Sequence, residues 1–233
     1  MPERAFYFGR TAAEILGMPV RPRRDEVLHI AVRAGARRID AMGVRSHHVS
    51  IREEDVIEHR GLPVTSFERS WCDIAALGGS LSELVAAGDA LLQHARPVST
   101  RASLEGAVAR HGGRRGARVL RRALQLVTDR SDSAPESELR VAIIEAGLPM
   151  PRINEPIRDE RGRPLATPDL SWPAQLVVVE YEGDHHRTDR AQWHRDLERF
   201  GLLQELGWRV LRASAADYRD PRPLLRRLTR LLA

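Results

Sequence analysis

Apolar positions along the chain follow two textures. In the first 130 residues, short alternating runs sit among helical ones. TAAEILGM (11–18) has helical spacing and stops at Pro19. VLHIAV (27–32) and GVRSHHVSI (43–51) alternate like strands, and Glu53, Glu54 and Asp55 mark a turn. Thr65-Ser-Phe-Glu68 has the form of a capping box opening the helix ERSWCDIAAL. Gly78-Gly79-Ser80 breaks that helix, and LSELVAAGDALLQ predicts a second amphipathic one. Two arginine-rich helices follow, at about 101–110 and 116–128, separated by HGGRRG. TDRSDSAP (128–135) is polar and ends in proline, which predicts a domain boundary.

Beyond that boundary the periodicity is cleaner. Ser133-Ala-Pro-Glu136 opens a helix to about Ala146, stopped by Gly147 and Pro149. RINEPIRDERGRPLATPDLSW predicts a hairpin-like pair of strands turning near Arg161-Gly162. QLVVVEYE has the continuous apolar run of a buried strand. TDRAQWHRDLERFGLLQEL predicts a long helix ended by Gly207, WRVLRAS a strand, and PRPLLRRLTRLLA a closing helix. The order is αβββαβα. The expected fold class is α/β, divided as an α+β region (1–95), an arginine-rich helical connector (96–132) and the αβββαβα domain (133–233). No internal repeat or low-complexity segment interrupts this.

Charge sharpens the division. The net charge is +5, and all 37 basic residues are arginine. Residues 1–130 carry 21 Arg against 15 acids, and residues 131–233 carry 16 Arg against 17 acids. Arg96 to Arg122 holds eight Arg and a single acid, Glu105. A basic first half suits a polyanion such as nucleic acid, with Arg114, Arg115, Arg118 and Arg122 as candidate phosphate contacts. The lack of lysine excludes Schiff-base chemistry, a Walker-type phosphate lysine and a Ser-Lys dyad. Cys72 is the only cysteine, so an intrachain disulfide or cysteine zinc cage is excluded, and SWCDIAAL reads as core. The opening residues lack a signal-peptide apolar region, and no apolar run approaches the ~20 residues of a membrane span. The expectation is a soluble cytoplasmic protein.

The second half keeps acids where a core should be. Glu180 and Glu182 alternate onto one face of the valine strand, shared with Val178. Burying carboxylates there costs several kcal/mol per ion unless a cation compensates. With no lysine, that cation is an arginine or a metal ion. Asp169, expected on the neighbouring strand, would converge on the same point. Two or three carboxylates with the Tyr181 carbonyl make a hard-oxygen site for Mg²⁺ or Mn²⁺, the arrangement of metal-assisted phosphodiester hydrolysis.

Pro168-Asp169, ten intervening residues and Glu180-Tyr181-Glu182 spell the PD-(D/E)XK nuclease signature, with glutamate at the lysine position. The segment ESELR…AGLPMP…PDLSWP…VVVEYEGDHHRTDRAQWHRD…LLQELGWRVLRAS resembles an actinobacterial endonuclease-like family related to very-short-patch-repair endonucleases. The first ~95 residues, through GLPVTSFERSWCDIA, are similar to the AbiEi-type antitoxin-like region that precedes this domain in such proteins. The resemblance implies a restriction-endonuclease-like core and a divalent-metal-dependent DNA endonuclease or nickase of repair or defence, as a monomer or a homodimer. It also implies roles by residue. Asp169 and Glu180 match the metal-binding pair, and Glu136 the supporting acid of the first helix, although Glu136 is equally the glutamate of a capping box. Glu182 stands where it could act as general base or extra ligand. His186, and less directly His185, follow a Gly183 turn with Asp184, as a proton shuttle or simply as a capped loop. Asp196 and Arg199 look like the family's D-x-x-R pair; an intrahelical ion pair is the plainer reading, and Arg199 could instead offset the acidic cluster. Trp172, Trp193 and Trp208 read as packing, and His47-His48 as surface strand. The rival class is an inactive nuclease scaffold that binds DNA for regulation; an RNA nuclease is a further alternative.

Overall fold

The computed structural model describes residues 5–21, 27–182 and 201–233. The chain is mixed α/β and divides into two compact units at Asp129/Arg130.

In the first unit, β1 (Ala5–Tyr7), β2 (Leu28–Arg33), β3 (Val44–Val49), β4 (Val56–His59) and β5 (Leu62–Thr65) form one sheet in the order β3-β2-β1-β5-β4. β2 pairs parallel to β3, and β1 parallel to β5; the other two pairings are antiparallel. The β4–β5 hairpin turns through Arg60-Gly61, both at positive φ (51° and 77°), the two-residue turn whose twist matches its strands. Beside the sheet lies α1 (Gly9–Ile15), followed in the chain by α2 (Phe67–Ala76), α3 (Leu81–Leu92), α4 (Arg101–His111) and α5 (Ala117–Leu126). Helix α2 packs on α1, α3, α4 and α5, so Trp71, Ile74, Leu84, Leu91, Leu104 and Leu120 are fully buried. The arginine-rich helices therefore pack within the first unit. Gly116 (φ 83°) lets the α4–α5 loop touch α2: a Cβ there would lie 2.3 Å from the Ala75 carbonyl oxygen.

Helix starts follow their caps. The Ser80 hydroxyl accepts from the Glu83 amide at the start of α3, and the Thr100 hydroxyl accepts from the Ser103 amide at the start of α4. At α2 the cap lies one residue later than the Thr65 box predicts. Ser66 accepts from the Arg69 amide at 3.3 Å, Thr65 is buried against the Ser70 hydroxyl at 2.8 Å, and Glu68 accepts from the Ser99 hydroxyl at 2.6 Å. The β5 strand sets this register, because its last residue is Thr65.

In the second unit, α6 (Ala134–Glu145) precedes β6 (Arg152–Ile153), β7 (Ile157–Arg158), β8 (Pro164–Ala166), β9 (Leu170–Trp172) and β10 (Val177–Glu182). Residues 201–205 are helical (α7), followed by β11 (Arg209–Ser214), α8 (Ala215–Arg219) and α9 (Arg222–Leu232). The main sheet runs β11-β10-β9-β6; β10 and β11 are parallel over six residues, and the other pairings are antiparallel. The expected turn near Arg161-Gly162 joins β7 to β8, but the pairing on either side of it is divided: β7 and β8 form a separate ribbon, and β6 pairs with β9 in the main sheet. The Val-rich strand explains the layering. Val177 and Val179 bury one face with Leu139 and Ile143 of α6 and Leu224 and Leu228 of α9. Val178 buries the other with Ala166, Leu203 and Trp208. No helix among the described residues is long and apolar enough to cross a membrane.

Candidate functional site

Two acids of the second unit, Asp169 and Glu180, lie at the end of the β9–β10 pairing. Register runs Val177↔Trp172, Val178↔Ser171, Val179↔Leu170, so Asp169, immediately before β9, is next in line opposite Glu180. The Asp169 Oδ2 accepts from the Tyr181 amide at 2.6 Å, a short charge-assisted bond that ties the carboxylate to β10. Glu180 is 7% exposed on the Val178 face. It stands in register with Arg212 of β11, which brings an arginine beside the buried acid. The sequence pointed to Arg199 for that cation and passed over Arg212. The signal was present: in WRVLRAS, Arg212 is the partner that parallel pairing assigns to Glu180.

Glu136 is buried at the start of α6 and acts there as a cap. Its Oε1 accepts from the Ser133 hydroxyl at 2.7 Å; its Oε2 accepts from the Asp132 amide at 3.1 Å and from Asn154 Nδ2 at 3.2 Å. Asn154, at φ 45°, was missed by sequence reasoning. Its amide donates to the Asp169 carbonyl at 3.0 Å, and its Nδ2 also donates to the Arg130 carbonyl at 2.7 Å. One residue thus links Glu136 to the backbone of Asp169. A short polar side chain in INEP, before a proline, was the only hint. Arg140, one turn after Glu136, is 1% exposed, a second buried charge that the ESELR motif held but sequence reasoning passed over.

The Glu182 side chain and the whole of Asp184, His185, His186, Trp193, Asp196 and Arg199 lie outside the described residues. Among the described residues, no three His, Cys, Asp or Glu side chains come together as a metal-holding group. Asp169 and Glu180, next in line across β9 and β10, and the Tyr181 carbonyl are hard oxygen donors, the ligand chemistry of Mg²⁺ and Mn²⁺. Trp172 and Trp208 are buried, and Trp172 Nε1 donates to the Pro149 carbonyl at 2.8 Å.

In the first unit, Arg114 and Arg115 lie on the α4–α5 loop and Arg118 and Arg122 on α5, all exposed and without an ion-pair partner among the described residues. His47 is half-buried rather than a plain surface residue. Its Nε2 lies 3.0 Å from Nδ1 of buried His29, and the rings stack at 5.0 Å. Burial, then the nearby Arg45 and Arg38, hold its pKa below the ordinary imidazole value. Cys72 is buried, and desolvation pushes its thiol up to about 12, so it carries no thiolate at neutral pH.

No known family profile matches the chain. It is similar to two Mycobacterium tuberculosis proteins, the uncharacterized protein MT2308 of strain CDC 1551 and the uncharacterized protein Rv2248 of strain H37Rv. Each is 37% identical over 145 residues, 62% of this chain and 52% of the relative. The chain thus spans about half the length of the curated relatives it matches.

Proposed function

We propose that the second unit is a divalent-metal-dependent DNA nuclease with a restriction-endonuclease-like core, acting as an endonuclease or nickase. The observation that carries this reading is the Tyr181 amide held by Asp169 Oδ2 at 2.6 Å, at the position next in line after the Val179↔Leu170 pair, which puts Asp169 beside Glu180 of β10. The four-stranded mixed sheet, helix-covered on one face and closed by Leu203 and Trp208 on the other, supports it. So does the spacing of Pro168-Asp169 from Glu180-Tyr181-Glu182.

Asp169, Glu180 and the Tyr181 carbonyl would hold Mg²⁺ or Mn²⁺, while Glu136 supports from the helix cap. Such an ion supplies charge neutralisation at the scissile phosphate and at the departing oxygen. The chain's own residues set the stage. The Tyr181 amide fixes the Asp169 carboxylate, Asn154 fixes its backbone, and Glu182 and His186 are the groups assigned to proton transfer. Exposed Arg114, Arg115, Arg118 and Arg122 of the first unit would engage DNA phosphates, making binding salt-sensitive. A cytoplasmic setting goes with a single, buried cysteine.

Nicking of supercoiled plasmid in Mg²⁺ or Mn²⁺ tests the proposal. Wild type should nick, Asp169→Ala and Glu180→Ala should lose at least a hundredfold in rate, and chelation should stop the reaction. Nicking that survives both substitutions overturns the site. DNA binding with no cleavage under any divalent ion assigns the chain to the binding class instead.

A further inference from the structure

A second site lies wholly within the first unit. The 50–55 turn, α2, the end of α4 and the α4–α5 loop enclose a pocket of about 300 Å³. Four arginines line it, Arg52, Arg69, Arg110 and Arg114, and Asp55 is its one acidic lining residue. His111 completes the wall and buried Cys72 the floor.

The four arginines are not equivalent. Arg52 is held by Glu54 at 2.7 Å and Asp55 at 3.2 Å. Arg69 is held by Asp73 at 2.9 Å and approaches Asp55 at 4.0 Å. Arg110 and Arg114 have no ion-pair partner among the described residues. Two arginines without an ion-pair partner among the described residues thus line one small cavity. The histidine beside them senses the field: burial first, and then Arg114, Arg69 and Arg121, hold the His111 pKa below its ordinary value. Its Nε2 bonds the Arg115 carbonyl at 3.0 Å, which fixes the loop carrying Arg114.

We propose that this pocket binds a terminal phosphate monoester, with Arg110 and Arg114 as its direct partners. A phosphate monoester carries about −1.5 to −2 charges at neutral pH, matching two unpaired guanidinium groups, whereas an internal phosphodiester carries one. Arginine presents paired donors in the planar geometry that phosphate oxygens accept. The volume is that of a small-ligand site and admits a phosphate with one attached nucleoside-sized group, not a duplex about 20 Å across. Two sources share this chemistry: a free mononucleotide-like phosphate and the phosphorylated end of a nucleic-acid strand. The site does not depend on the nuclease reading, which concerns the other unit.

Calorimetric titration of the full chain distinguishes these cases with inorganic phosphate, dAMP, and a short single-stranded oligonucleotide with either a 5′-phosphate or a 5′-hydroxyl. The phosphorylated oligonucleotide should bind at least tenfold tighter than its hydroxyl counterpart, or dAMP should bind equally well on its own, and Arg110→Gln with Arg114→Gln should remove that preference. Both residues are exposed, so the double variant should keep its circular dichroism spectrum and melting temperature within about 2 °C. dAMP binding as tightly as the phosphorylated oligonucleotide assigns a free small phosphate; tighter binding of the oligonucleotide assigns a strand end. Absence of binding by every probe overturns the proposal. So does equal affinity for the phosphorylated and hydroxyl strands without dAMP binding, or a preference that the double variant retains.

Discussion

Asp73 offers a test of how the first unit balances buried charge. Its side chain is almost fully buried on α2, with one oxygen on Arg69 Nε at 2.9 Å and the other without a hydrogen-bond partner among the described residues. Burial pushes its carboxyl from 3.8 up to about 7, against the opposing pull of Arg69. Because the folded value is raised above the unfolded one, the folded state binds the extra proton between those values. The stabilisation is fully present below pH 3.8 and is lost as pH rises through about 7. At about 1.4 kcal/mol per pH unit, the whole window amounts to about 4 kcal/mol, and the span from pH 5 to pH 8 to about 3 kcal/mol. Asp73→Asn removes this titration while keeping an oxygen for Arg69. Thermal melts of variant and wild type at pH 5 and pH 8 cancel the other titrating groups. The variant's stability relative to wild type should rise between the two by an amount on the order of 10 °C in Tm for a unit this size. An unchanged difference, or a fall, would refute the reasoning and mean that Asp73 is already ionised in the fold, held by Arg69.

Three further outcomes follow from named contacts. Glu83→Ala should cost about 3–5 kcal/mol in urea unfolding, because Arg10 and Glu83 form a bidentate buried pair between α1 and α3 and the arginine would be left uncompensated; a loss under about 1 kcal/mol would contradict this. Gly116→Ala should destabilise the first unit by more than about 2 kcal/mol and weaken phosphate binding with it, since the Cβ collides with the α2 backbone; calorimetry and melting on one sample check both. Asn154→Ala should cost about 2 kcal/mol in urea unfolding, and Asn154→Gly should recover part of it, because glycine restores the positive φ but not the Nδ2 bonds to Arg130 and Glu136.

What could be read in advance was local in the chain. The Ser133 cap, the arginine-rich helices and the Val177–Glu182 strand announce themselves through neighbouring residues, and Asp169 and Glu180 are close enough in sequence for one strand pairing to bring them opposite each other. Other elements depend on partners far away. β6 and β7 have two residues each, too short for periodicity to register, and exist because β9 and β8 pair with them. β1 gains its place from Ile30–Val32 and Val64. Arg10 and Glu83 are 73 residues apart, and the arginine-lined pocket draws on separated segments, so composition could show an arginine excess but not where two guanidinium groups would be left unpaired.

Residues 130–132 have the composition of a spacer, yet each carries a bond into the second unit. The Arg130 carbonyl accepts from Asn154, the Ser131 hydroxyl meets that of Ser137 at 2.8 Å, and the Asp132 amide donates to Glu136. The unit's portable boundary therefore lies ahead of its first helix rather than at the helix cap. A fragment excised at Ser133 would keep Glu136, Asp169 and Glu180 and the bonds from Asn154 to Glu136 and to the Asp169 carbonyl, but would lose the Arg130 carbonyl from Asn154, the Ser131 hydroxyl from Ser137 and the Asp132 amide from Glu136. Grafting or expressing this unit alone therefore requires residues 130–132 as part of its fold.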